Sequence, residues 1–165
     1  MLPDIIAERP NGGFLLVGAR VRDVLWQYRQ DGQKQEAGGV LLGSYRGDHI
    51  DVIDATLPGL NDYRSRTGFV RRDQSHQNIA EKHWIQSGGA ITYIGEWHTH
   101  PEALPIPSVI DVREWKNKLP RRGMVLCIQG TEGMSLHYLF MEHKVLRLQR
   151  LEFEEVLPSK VAFFS

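Results

Sequence analysis

Val21, Val24, Leu25 and Tyr28 recur at helical spacing, so the chain from about Arg20 to Gln30 predicts an amphipathic helix that Asp31-Gly32 brings to an end. Ahead of it, Phe14 to Val17 is an apolar run of strand length. Gly38-Gly39 then leads into Val40 to Tyr45, and Gly47-Asp48 turns the chain into His49 to Leu57, which predicts two strands joined tightly. Pro58 to Arg72 is polar and aperiodic, long enough to be a functional loop. Asp73 to Gln86 predicts a second helix with Asp73 as its N-cap and Gly88-Gly89 as its stop. Ala90 to Trp97 predicts a strand. The segment from His98 to Pro107 carries Pro101, Pro105 and Pro107 and is expected to leave the sheet, whereas Ser108 to Leu119 has a serine cap and no proline, as a third helix needs. Met124 to Gln129 and Met134 to Met141 predict a hairpin about Gly130 to Gly133, and Val145 to Phe153 an edge strand. Helices interleaved with strands in this order predict an α/β fold, a three-layer sandwich with a mixed sheet flanked by helices.

Composition narrows the picture. A chain of 165 residues with 41% hydrophobic content fits one domain that buries its own core. Twenty basic residues balance twenty acidic ones, so no global field draws the protein to nucleic acid or to an anionic membrane. Cys127, the single cysteine, sits in the apolar run Met124 to Ile128; it fits a buried thiol in a reducing compartment rather than a nucleophile. No apolar stretch is long enough for a membrane span and no leader precedes the first strand, which makes the cytoplasm the expected location.

Chemistry concentrates in one segment. On a strand, side chains two apart share a face, so His98 and His100 can present both imidazoles to one ion. Asp111, three residues after Ser108, lies on the first turn of a helix that the proline-rich loop folds back toward that strand. Singly, each feature has an ordinary explanation: a polar strand end, a first-turn acid, a helix cap. Jointly they supply two histidines and a carboxylate, a catalytic zinc set that leaves a fourth position open. Zinc so held activates water and polarises a carbonyl.

The order His98-Thr99-His100-Pro101, then Ser108 and Asp111, resembles the JAMM or MPN-plus metalloproteases, and Glu36-Ala37-Gly38-Gly39-Val40-Leu41-Leu42-Gly43 is similar to the glutamate segment of that family. The likeness extends across roughly Val17 to Met141. It implies a fold related to the cytidine deaminases, zinc as the metal, and cleavage of peptide or isopeptide bonds beside a ubiquitin-like C-terminus. Hydrolysis needs a group that takes a proton from water and returns it to the leaving amine; with Asp111 committed to the metal, Glu36 is the candidate base. For Ser108 the resemblance implies a hydroxyl aimed at the developing oxyanion. Glu96, two before His98, is expected on the histidine face, either bonded to a histidine N–H or simply exposed.

Three other classes compete. Related MPN domains without the ligands act as assembly modules, but here the ligands and the base are all present. A zinc deaminase needs a Cys-x-x-Cys pair that one cysteine cannot provide. A serine hydrolase through Ser108 lacks the glycine-framed elbow. His49, His76, His83, His137 and His143 show no metal spacing, and His76 and His83 are expected to face solvent. Arg64, Arg66, Arg71 and Arg72 read as scattered charge on a solvated loop rather than as an anion site, although that loop is also a candidate wall for a substrate groove. The string from Gly95 to Glu102 and the following Trp115 look like the small bacterial members of anti-phage operons, which free a nucleotidyltransferase from proteins to which it has been conjugated. The expected partner is therefore a protein with an extended C-terminal tail.

Overall fold

In the computed structural model, which describes residues 2–142 and 144–150, the chain runs through β1 (Ile5–Glu8), β2 (Phe14–Val17), α1 (Ala19–Gln27), β3 (Gly38–Arg46) and β4 (His49–Ala55). It continues through β5 (Tyr63–Ser65), β6 (Gly68–Val70), α2 (Ser75–Gln86), β7 (Thr92–Thr99) and α3 (Val109–Lys118). β8 (Met124–Gln129), β9 (Met134–Leu139) and β10 (Val145–Leu148) follow. One sheet has the order β1-β2-β4-β3-β7-β8-β9-β10, and β5 with β6 forms a separate hairpin. The large sheet is mixed: β2 with β4 and β7 with β8 are parallel, the other neighbours antiparallel.

β8 shows why the sheet is covered on both faces. Its sequence is nearly all apolar, the mark of a strand with no solvent side. Val125 and Cys127 join the core that holds Val21 and Leu25 of α1, while Met124, Leu126 and Ile128 join the one that holds Trp115 and Leu119 of α3. The result is α1, sheet and α3 in three layers. Cys127 is fully buried and burial pushes its thiol up to about 12, so it is inert packing. No described helix is long and apolar enough to cross a membrane.

Several expectations shift. β1 pairs with β2 and was not predicted, because four residues are too few to show alternation. The loop from Pro58 to Arg72 contains the hairpin β5–β6. β7 continues through His98 and Thr99, which pair with Ile128 and Gln129 of β8; Pro101 restricts His100 before it, not residues further back. α2 starts at Ser75, and Asp73 accepts the Ser75 N–H without being the capping residue. Of the expected strand from Val145 to Phe153, β10 covers the first part and the end lies outside the described residues, as does His143.

Two glycines set the approach of β3 to its neighbours. A Cβ on Gly38 would meet the Phe69 ring at 2.7 Å, and one on Gly39 would meet the Thr56 carbonyl oxygen at 2.2 Å. Only glycine admits that packing. It brings the residues just before β3 against the end of β7.

Candidate metal centre

β7 and the residue just past its end deliver His98 and His100 on one face, with Thr99 turned to the other, where it is fully buried. α3 delivers Asp111. Its first turn is closed by a capping box: Ser108 Oγ accepts the Asp111 N–H at 3.0 Å and the Asp111 carboxylate accepts the Ser108 N–H at 2.8 Å. The same carboxylate lies 3.3 Å from His98 Nε2 and 3.1 Å from His100 Nε2. The two Nε2 atoms are 3.1 Å apart. A tetrahedral ion with bonds of about 2.0–2.1 Å needs ligand atoms roughly 3.3–3.4 Å from one another. His98 faces Asp111 Oδ1 and His100 faces Oδ2, so the two imidazole nitrogens and the carboxylate converge at separations close to those of ligands on one tetrahedral ion.

The remaining ring nitrogen points the same way. His100 Nδ1 is buried without a hydrogen-bond partner, with Glu102 Oε1 3.6 Å away. A histidine that ligates through Nε2 keeps its proton on Nδ1 and turns it toward such a carboxylate. These donors therefore fit a metal ion of the zinc type.

Glu36 faces the same histidines: one of its carboxylate oxygens and one ring nitrogen each of His98 and His100 all lie within 4.8 Å of one another. Two carboxylates thus flank the pair. Asp111 is in direct contact with both rings, which suits a ligand. Glu36 with the two histidines is itself a group that could hold a metal ion, so both carboxylates are candidates at this site. Burial raises the Glu36 carboxyl above its ordinary value against the pull of His98 and His100, the direction a base for neutral pH requires. Burial would also raise Asp111, but hydrogen bonds from His100 and His98 hold it far below the usual carboxylate range. For His100, burial pulls downward and the bond to Asp111, with the charges of Asp111, Glu36 and Glu102, carries it above its ordinary value.

The Glu36 segment is held by residues that sequence reasoning did not single out. Glu36 N–H donates to the Ser65 carbonyl at 2.7 Å, and Arg64 Nε donates to the Glu36 carbonyl at 2.8 Å, so the β5–β6 hairpin grips its backbone. Thr99 Oγ1 accepts the Ala37 N–H at 2.9 Å and donates to Gln30 Oε1 at 2.9 Å. A threonine between two outward histidines must face inward, and that alternation was the available signal. Arg64 and Arg71 are structural ties, Arg71 to Glu96 at 2.9 Å. Glu96 shares the histidine face but accepts from Tyr93 and pairs with Arg71, with no bond to a histidine. His76 is buried, not solvent-facing: Asp62 and Thr56 supply it with partners inside. His98 packs near Trp115, with ring centroids 6.0 Å apart.

A model for prokaryotic homologues of the JAB domain matches residues 18–147. The chain belongs to that family. This JAB domain is 46% identical over 101 residues to a CD-NTase/cGAS isopeptidase of Escherichia coli (strain TW11681), an alignment covering 61% of this chain and 59% of that protein. It is 30% identical over 128 residues to a probable metalloprotease of Sinorhizobium fredii (strain NBRC 101917 / NGR234), covering 71% of this chain and 78% of the other. The JAB domain thus spans about three-fifths of the length of the isopeptidase relative. A solution structure of a protein from Desulfitobacterium hafniense superposes with TM-score 0.57 at 22% identity over 84% of this chain and 88% of the other, a likeness of fold.

Proposed function

We propose that this JAB domain is a zinc-dependent isopeptidase. It cuts the bond joining the C-terminal tail of a ubiquitin-like protein or a nucleotidyltransferase to a target lysine, in the bacterial cytoplasm, as part of anti-phage defence. The observation that carries the reading is the convergence of His98 Nε2, His100 Nε2 and the two oxygens of the Asp111 carboxylate, with separations of 3.1 to 3.3 Å. Family membership and the names of the relatives support the hydrolytic part, and the isopeptidase name supports the choice of substrate. The chain is read as one peptidase domain whose sheet is related to that of the cytidine deaminases.

Within this reading His98, His100 and Asp111 hold the ion, which when bound supplies Lewis acidity to the scissile carbonyl. Glu36 takes a proton from the attacking water and passes it to the leaving lysine amine, a transfer favoured by its raised carboxyl. Ser108 Oγ already accepts the Asp111 N–H, which leaves its own O–H to donate toward the oxyanion. Leu104, Ile106, Val109 and Ile110 stand largely exposed beside the site. That much exposed apolar surface suits a protein substrate better than a small metabolite.

The test is incubation of the zinc-loaded protein with a conjugate in which a ubiquitin-like or nucleotidyltransferase tail is joined to a lysine side chain, with and without chelator. Mass spectrometry should find the tail released at its terminal residue, and no release with chelator. An intact conjugate in the presence of stoichiometric bound zinc would leave an assembly module and sink the reading.

A further inference from the structure

A second feature adjoins the cleft. Between α3 and β10 an open pocket of about 520 Å³ is lined by Val112 of α3 and Val145 of β10, with Ile106 and Pro107, the residues just before Ser108, also in its lining. Three cations line it: Lys116 of α3, Lys144 just before β10, and Arg147 of β10. Among the described residues none of the three is paired with a carboxylate. His137, also in the lining, is spent on Ser135 Oγ at 3.0 Å and lies tilted against Trp115.

The chain carries no net charge, so this grouping of positive side chains is local and not a reflection of composition. Like charges brought together without counter-ions repel one another, and an occupant that brings carboxylates relieves that repulsion. The apolar walls select the rest of the occupant. No Phe, Tyr or Trp lines the pocket to stack a base, and half its lining is aliphatic or proline. A peptide with carboxylates set among aliphatic side chains matches both properties; a nucleic acid matches only the charge.

We infer that this pocket docks an acidic, apolar segment of the protein substrate and so selects which conjugates reach the metal centre. The inference rests on the isopeptidase reading for the word substrate, but docking itself does not need the metal. Binding is therefore measured apart from cleavage, by fluorescence anisotropy, on the full chain carrying His98→Ala. The probe is a labelled octapeptide of alternating glutamate and leucine, with its glutamine counterpart as control. The glutamate peptide should bind, the glutamine peptide should bind at least about tenfold more weakly, and Lys116→Glu with Arg147→Glu should cost a similar factor. Raising salt from about 0.05 to 0.5 M should weaken binding further. Should the charge-reversed variant not fold, Lys116→Gln with Arg147→Gln gives the same comparison with a smaller loss.

Equal binding of the two peptides, or no effect of the variants, would overturn the inference. So would an oligonucleotide that displaces the glutamate peptide more strongly than free glutamate peptide does. Binding seen only after Glu152→Gln, Glu154→Gln and Glu155→Gln are combined would assign the pocket to the chain's own C-terminal segment and overturn it too. Retained peptide binding together with absent cleavage by the zinc-loaded wild type would defeat the isopeptidase reading alone.

Discussion

Two aspartates in this molecule each contact histidine and backbone N–H groups, in clusters built differently around them. Asp62 accepts N–H groups from Gly59, Arg72 and Asp73 at 2.7 to 2.8 Å and His76 Nε2 at 2.6 Å. On the other side of the ring, Thr56 Oγ1 meets His76 Nδ1 at 2.6 Å and accepts the Val40 N–H at 2.8 Å. That chain of donors fixes the tautomer and leaves every polar atom in it satisfied. Asp111 sits with His98 and His100 instead, where two ring nitrogens face each other at 3.1 Å and His100 Nδ1 is buried without a partner. Buried polar groups are normally paired, and the orphaned Nδ1 faces Glu102 at 3.6 Å, away from the Nε2 atoms that converge on Asp111. The first cluster is a strut that ties the segment before α2 to β3; in the second, two ring nitrogens and a carboxylate converge on one point.

The sharpest way to break this contrast is to cut both clusters and follow metal and fold separately. His98→Ala or Asp111→Asn should abolish zinc binding and turnover while the metal-free protein still folds, since the core closes without the ion. Asp111→Asn should also lower the thermal transition, because its carboxylate caps α3 and contacts both histidines. Stoichiometric zinc in either purified variant, read by elemental analysis, would remove that residue from the ligand set. Glu36→Ala comes next: zinc is kept and turnover falls by about 10²- to 10⁴-fold, the usual effect of a positioned acid–base group. A normal rate would pass the base role elsewhere. Ser108→Ala should slow turnover by roughly 10²-fold with zinc retained. The lost cap adds on the order of 1 kcal/mol of destabilisation, so a melting curve is needed beside the kinetics.

The same two clusters show what the sequence could reveal. His98, His100, Ser108 and Asp111 fall within one short stretch, and strand alternation with a helix cap is enough to bring them to one point. Their meeting was legible because each step obeys a local rule. Glu36 was legible only through family resemblance, since its place beside the histidines depends on Gly38 and Gly39 letting β3 approach Phe69 and Thr56. Asp62 and His76 were not legible at all. Fourteen positions separate them, and α2 carries only one buried residue, His76 itself, so no apolar stripe marks its inner face. The hairpin β5–β6 escaped for a related reason: strands of three residues carry no period, and arginines that looked like free charge turn out to bind the Glu36 carbonyl and Glu96.

The smallest effect separates strut from site by acid. Burial alone would raise the Asp62 carboxyl, but the N–H groups of Asp73 and Gly59, with His76 and Arg72, outweigh it and bring the group down to about 2. The unfolded chain binds that proton near pH 4. A carboxyl depressed in the folded state contributes stability that is fully present above the unfolded value and is lost as pH falls through the folded one. The window is therefore about pH 4 down to 2, and the contribution is on the order of 2 kcal/mol. In Asp62→Asn that part of the acid dependence should vanish, and the protein should be less stable at neutral pH by a similar amount, with zinc content unchanged. Urea titrations of the metal-free wild type and variant at several pH values across the window supply the measurement. Parallel curves for the two proteins would show that Asp62 is not held as its four partners imply, and the contrast between the two aspartate clusters would lose one of its halves.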